Sequence, residues 1–158
     1  MSRCLATSSL IVGLFLASAP AHALCIYDGK LYAKTTLSTE FRDSKLVVVG
    51  IATKQKNLPD LEDPEGFVGT VSQVKVLQAF KGRPLPFVPY YSPNTSARFP
   101  LDSGVPYLLF LDPITGTGWE REAPGTWVVN YSCGQSREWA KVSRKDRARL
   151  SAPVDRSR

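Results

Sequence analysis

Histidine is almost missing from this chain. The only one among 158 residues is His22, so residues 24–158 contain none. That absence removes the base of a Ser-His-Asp triad, the partner of a Cys-His pair and any imidazole metal ligand. Cysteine is scarce as well, with three residues, Cys4, Cys25 and Cys133. No apolar run approaches the roughly 20 residues that a membrane-spanning helix needs. No segment repeats. The body also lacks an excess of either charge: residues 24–136 hold 11 Lys/Arg and 11 Asp/Glu. Balanced charge gives no electrostatic footprint for nucleic acid, and no nucleic-acid partner is expected.

What is present begins with a leader. Met1-Ser2-Arg3, an apolar core at residues 10–17 and the A-x-A sequence Ala21-His22-Ala23 predict a secretory signal peptide over residues 1–23, cleaved after Ala23. The expected destination is the periplasm or the extracellular medium. Leu24 stands before Cys25 where a lipidation signal needs a small residue, so no lipid anchor is expected. Residues 24–158 then have the length of one domain. Residues 24–136 form its body, and residues 137–158 form a basic helix and tail with 8 basic and 3 acidic residues. In an oxidising compartment the two cysteines left after cleavage, Cys25 and Cys133, most simply form one disulfide.

The body reads as short strands. Residues 36–44 predict a short helix with Leu37 and Phe41 on one face. Strands are predicted at residues 45–53, bent at Gly50, at 67–80, at 85–91, at 105–111 and at 126–131. In the second, Ser72, Val74 and Val76 share one face, while Val71, Lys75 and Leu77 share the other. Pro86 and Pro89 put the third strand at an edge or beside a bulge, and the apolar VPYLLFL run makes the fourth central. A final helix is predicted from Arg137 to about Leu150, capped by Ser136 and carrying Trp139 and Val142. Five strands without regular crossover helices predict an all-β fold with minor helices, a five-stranded OB-like Greek-key barrel.

Several residues invite chemistry. Cys133, in YSCGQS, is either a nucleophile with Arg137 as its cationic neighbour or half of a structural bridge. Ser72-Gln73-Val74-Lys75 matches S-x-x-K, but on a strand Ser72 and Lys75 face opposite ways. Asp60, Glu62, Asp63 and Glu65 form an acidic loop without calcium-loop spacing. Asp112 with Glu120 or Glu122 is a candidate carboxylate pair. Gly116-Thr117-Gly118 reads as a hairpin loop, and Asn94 and Asn130 head glycosylation sequons. Tyr90, Tyr91 and Phe99 are candidate stacking residues. The basic set Lys141, Arg144, Lys145, Arg147 and Arg149 suits an anionic surface or a solvated helix face. No metal or cofactor is expected.

The order of these elements resembles the TIMP-like or netrin-like OB-fold superfamily, in the compact form of exported bacterial proteins. The resemblance rests on Cys25 after the leader, a short helix entering DSKLVVVG (residues 43–50), VLQAFKG (76–82), GVPYLLF (104–110) and Cys133-Gly134. It covers residues 25–135. It implies a barrel tied to its N-terminal segment by a Cys25–Cys133 disulfide, and a protein-binding or inhibitory module. The inhibitors of that superfamily present a first-residue cysteine to a protease's zinc; here Leu24 precedes Cys25. The leading expectation is an exported non-enzymatic module that binds a protein, with a peptidase among the candidate partners. Leu24, Cys25, Tyr90, Tyr91, Trp119, Lys141, Arg144 and Lys145 are the candidate partner-binding residues. The alternatives are a small hydrolase or thiol enzyme using Asp112, Glu120, Glu122 or Cys133, and a basic surface adaptor acting through the C-terminal helix.

Overall fold

The structure, a computed structural model, describes residues 26–27, 30–31, 35–63, 66–115, 123–131 and 133–152. Residues 1–23, where a leader is predicted, and Leu24, Cys25, Glu65, residues 116–118, Trp119, Glu120 and Glu122 lie outside the described residues.

Two short strands, β1 (Ile26–Tyr27) and β2 (Lys30–Leu31), pair antiparallel ahead of helix α1 (Leu37–Asp43). The side chain of Thr36 caps that helix by accepting from the Thr39 N–H. Five strands then make the barrel: β3 (Leu46–Pro59), β4 (Phe67–Lys81), β5 (Phe87–Pro93), β6 (Pro106–Pro113) and β7 (Trp127–Val129). They run in the order β3-β4-β5-β7-β6, and β6 pairs back onto β3 to close the barrel. Every pairing is antiparallel except β5 with β7, where Tyr90 lies opposite Trp127. The fold is therefore all-β and OB-like, with five barrel strands and two short helices.

The sequence pattern explains most of this. The alternation in VVVG places Leu46 and Val48 inside the barrel and Val47 and Val49 outside it. The register shifts between Val49 and Gly50, where an added Cβ would run into Val74 and the Lys75 carbonyl. The fourth strand of the barrel is central as expected, pairing with β3, β7 and a short strand β8 (Arg137–Glu138). The proline-bearing β5 is nearly an edge, since its pairing with β7 is confined to one residue pair.

Two expectations are corrected. The first barrel strand does not stop near residue 53 but continues to Pro59, paired throughout with β4. Lys54, Gln55, Lys56 and Asn57 resemble a loop because they are polar, yet a ribbon exposed on both faces needs only its backbone ladder. The C-terminal helix does not begin at Arg137. Ser136 accepts from the Phe110 N–H at 3.0 Å, Arg137 and Glu138 join the sheet, and a 3-10 turn (Trp139–Lys141) follows. Helix α2 (Arg144–Ser151) starts only where Ser143 accepts from the Asp146 N–H at 3.1 Å. Either serine has the chemistry of a cap, and the competing strand amide decides between them.

Apolar residues collect in three places. Inside the barrel lie Val74, Val88, Tyr90, Leu109 and Leu111 with their neighbours. Outside it, across the β3–β6 seam, Val47, Val49, Leu108 and Phe110 are covered by Leu37 and Phe41 of α1, by Trp139 and Val142, and by Leu150 of α2. A smaller outer cluster holds Tyr91, Ile114 and Ala123. Among the described residues, no helix is long and apolar enough to cross a membrane.

Candidate functional site

The turn carrying Cys133 follows β7 and is built around a buried carboxylate. Gly134 N–H closes it onto the Tyr131 carbonyl at 2.9 Å, and Asn130 N–H bonds to the Phe110 carbonyl at 2.8 Å. Glu40 projects from α1 into this turn and is completely buried. Its Oε2 accepts from the Gln135 N–H, while its Oε1 has no hydrogen-bond partner among the described residues. The carboxylate fills the space where a side chain at position 134 would stand, which is why that residue is glycine. Burial pushes the Glu40 carboxyl up to about 7, against the opposing pull of the Gln135 N–H, the Thr35 hydroxyl and Arg137.

Gln135 extends the network. Its Nε2 donates to the Thr35 carbonyl at 2.7 Å, and its Oε1 accepts from Arg137 Nη1 at 2.8 Å. Arg137 in turn reaches Asp146 of α2 at 3.2 Å. One polar chain thus joins α1, the cysteine turn, β8 and α2. Cys133 itself is disulfide-bonded, and its partner lies outside the described residues. A disulfide sulfur is not a thiolate, so Cys133 in this state offers no nucleophile.

The other candidate residues are dispersed. Tyr90 and Tyr91 are corrected from partner-binding to core residues, being 1% and 0% exposed. Their hydroxyls donate to the carbonyls of Phe99 and Val68, at 2.7 and 3.1 Å. A tyrosine in a strand alternates inward or outward with equal chemistry, and here the outward one is covered by Ile114 and Ala123. Phe99 is half-buried, edge-on to Tyr107. Ser72 is buried and Lys75 exposed, on opposite faces of β4 as the strand reading requires. Asp112 accepts the Lys45 N–H at 3.1 Å, and burial raises its carboxyl above the usual range. Its two prospective partners lie outside the described residues. Asp60 accepts the Glu62 N–H at 2.9 Å, and among the described residues no group of acidic, cysteine or histidine side chains is placed to hold a metal ion.

The basic C-terminal set divides in two. Lys141, Arg144, Lys145 and Arg149 are exposed, with Lys141 held by Glu138 at 2.7 Å. Arg147 is structural. Its guanidinium stacks on the Trp139 ring at 4.3 Å and donates to the carbonyls of Trp139 and Val142.

Two features escaped the sequence reading. Glu40 was one charged residue in a polar helix, with no sign in the chain of the turn that would bury it. The second is the outer face of the β4–β5 hairpin. Four large apolar side chains are exposed among the described residues, and three of them, Leu77 (50%), Leu85 (74%) and Phe87 (43%), belong to this hairpin. Lys75 pairs with Phe87, so these two share the outer face; Leu77 stands exposed at the register shift opposite Val49 and Gly50, and Leu85 stands exposed just before β5. The alternation of FVGTVSQVKVLQ was the available signal, since it put Leu77 outside the barrel.

Compared with known proteins, no family model matches the chain, and no curated protein matches it.

Proposed function

We propose that this chain is an exported, non-enzymatic module that binds another protein, built on the TIMP-like or netrin-like plan. The observation that supports the reading best is the bare apolar hairpin of Leu77, Leu85 and Phe87. Scattered exposed apolar residues are ordinary, whereas three exposed on one hairpin, with Lys75 and Arg83, have the make-up of a contact surface with a polar rim. The partner is a protein whose facing patch is apolar and flanked by carboxylates, complementary to Lys75 and Arg83. A peptidase is the partner that the family resemblance suggests. In this reading Cys25 is the second half of the disulfide at Cys133, so the N-terminal segment is held against the Glu40 turn.

The test is a comparison of the native chain with a double variant, Leu85→Asp with Phe87→Asp, as baits in affinity capture from the source envelope or medium. The expected result is a partner retained by the native chain and lost by the variant. Equal capture by both baits, or capture by neither, overturns the hairpin reading. Intact mass with and without reductant, followed by peptide mapping, checks the pairing of Cys25 with Cys133; a Cys4–Cys133 peptide would sink it.

A further inference from the structure

A second surface lies on the opposite, inner face of the same sheet. Beyond the barrel's mouth the β3–β4 ribbon continues outward, and the segment after β5 folds across it. Gln55 Nε2 pins that segment by donating to the Leu101 carbonyl at 2.5 Å, and Gly104 N–H bonds to the Ala52 carbonyl at 3.2 Å. Between ribbon and strap runs a cleft of about 340 Å³, at the lower end of the range for small-molecule sites. Gln55 and Asn57 of β3, Thr70 and Ser72 of β4, and Ser92 of β5 line it, with Leu101 at one end.

Two properties of this lining define what it can hold. It carries amides and hydroxyls but no charged side chain, so it offers nothing to a phosphate, a carboxylate or an ammonium group. It also keeps unused hydrogen-bonding capacity. Ser72 is only 2% exposed, yet its hydroxyl has no partner among the described residues. Thr70 donates to Asn57 Oδ1 at 2.8 Å, leaving the Asn57 amide protons free. Ser92 Oγ accepts from the Phe99 N–H at 3.0 Å and its hydroxyl is engaged with that of Tyr90, whereas Gln55 keeps its Oε1 as an acceptor. The Asn57 amide donor and the Gln55 acceptor therefore flank the nearly buried Ser72 hydroxyl.

We infer that this cleft is a binding site for a neutral polyhydroxylated ligand, a short saccharide. Each sugar hydroxyl both donates and accepts, which matches a wall of mixed amide and hydroxyl groups. A peptide would ask for alternating side-chain pockets along an extended path, and only Pro100 and Leu101 are apolar here. The site is independent of the hairpin proposed above to meet a protein, because it faces the other way.

The test is titration of the isotope-labelled chain with cellobiose, maltose and N,N′-diacetylchitobiose, followed by amide NMR. At least one of these saccharides should shift the side-chain amides of Asn57 and Gln55 saturably. Ser72→Val should weaken that binding at least about tenfold, as expected when a buried hydroxyl partner is removed. Should Ser72→Val fail to fold, Asn57→Leu, at an exposed position, carries the same expectation. The Leu85→Asp and Phe87→Asp double variant should bind the sugar as the native chain does, so this inference and the hairpin reading can fail separately. The inference is overturned if no sugar gives saturable shifts at those amides, if glycerol or trialanine reproduces them, or if folded Ser72→Val and Asn57→Leu both bind unchanged.

Discussion

The barrel has two outer faces that the chain treats in opposite ways. Across the β3–β6 seam, Val47, Val49, Leu108 and Phe110 point outward and are covered by α1, α2 and the 3-10 turn between β8 and α2. Across the β4–β5 hairpin, Leu77, Leu85 and Phe87 stand exposed and nothing in the described residues covers them. The same alternating strand chemistry generates both, so an outward apolar residue does not by itself reveal a contact surface. What distinguishes the faces is the rest of the chain. The covered face is reached by segments that supply Leu37, Phe41, Trp139 and Leu150, and among the described residues no such segment reaches the bare face.

The strongest way to break this comparison is Phe110→Ala. The Phe110 side chain is fully buried between the sheet and the helices, and its loss should cost about 3–5 kcal/mol in urea unfolding. A cost below about 1 kcal/mol would mean that the helices do not hold the seam as a packed core.

The second prediction concerns the polar side of the covered face. Glu40 has an ordinary carboxyl value of 4.5 when the chain unfolds and about 7 when folded. Below 4.5 both states carry the proton and the group contributes no pH dependence. Between 4.5 and 7 the folded state holds more protons than the unfolded one, so stability falls as pH rises. Above 7 the full cost of a buried, ionised carboxylate is present, about 3 kcal/mol relative to acid. Asp112, also raised by burial, adds a slope of the same sign. Glu40→Gln keeps the acceptor for the Gln135 N–H without the charge. It should match the native chain near pH 4 and be more stable by about 2–3 kcal/mol at pH 8. Parallel stability profiles for the two proteins would remove Glu40 as the source of the slope.

These two residues also mark how far the sequence could be read. Phe110 was legible, because an unbroken apolar run of strand length admits few positions other than a central strand. The barrel followed from five strand-length segments and the lack of crossover helices. Glu40 was not legible, because its burial depends on a turn nearly a hundred residues away, and no local pattern encodes that meeting. Ser136 and Ser143 show the same limit at close range: each could cap a helix, and the choice falls to the Phe110 amide on a neighbouring strand. Tyr90 and Tyr91 lacked any signal for exposure, since tyrosine is at home on either face of a strand. The candidate surfaces were legible only as faces, through the outward register of Leu77 and the inward register of Ser72.

The smallest effect sharpens the comparison most. Phe87→Ser removes an aromatic side chain as large as that of Phe110, from a position 43% exposed. A bare face loses little packing when it is truncated, so the change in unfolding free energy should stay within about 0.5 kcal/mol. Set beside the loss at Phe110, that gap measures how much of an outward phenylalanine's contribution comes from the segment laid over it. A cost at Phe87 approaching that at Phe110 would show that something covers the hairpin in solution. A second copy of the chain would then be the first occupant to seek, by sedimentation at several concentrations. Near-neutrality would leave Leu77, Leu85 and Phe87 as residues that contribute nothing to the fold, and their exposure would then need a reason outside it.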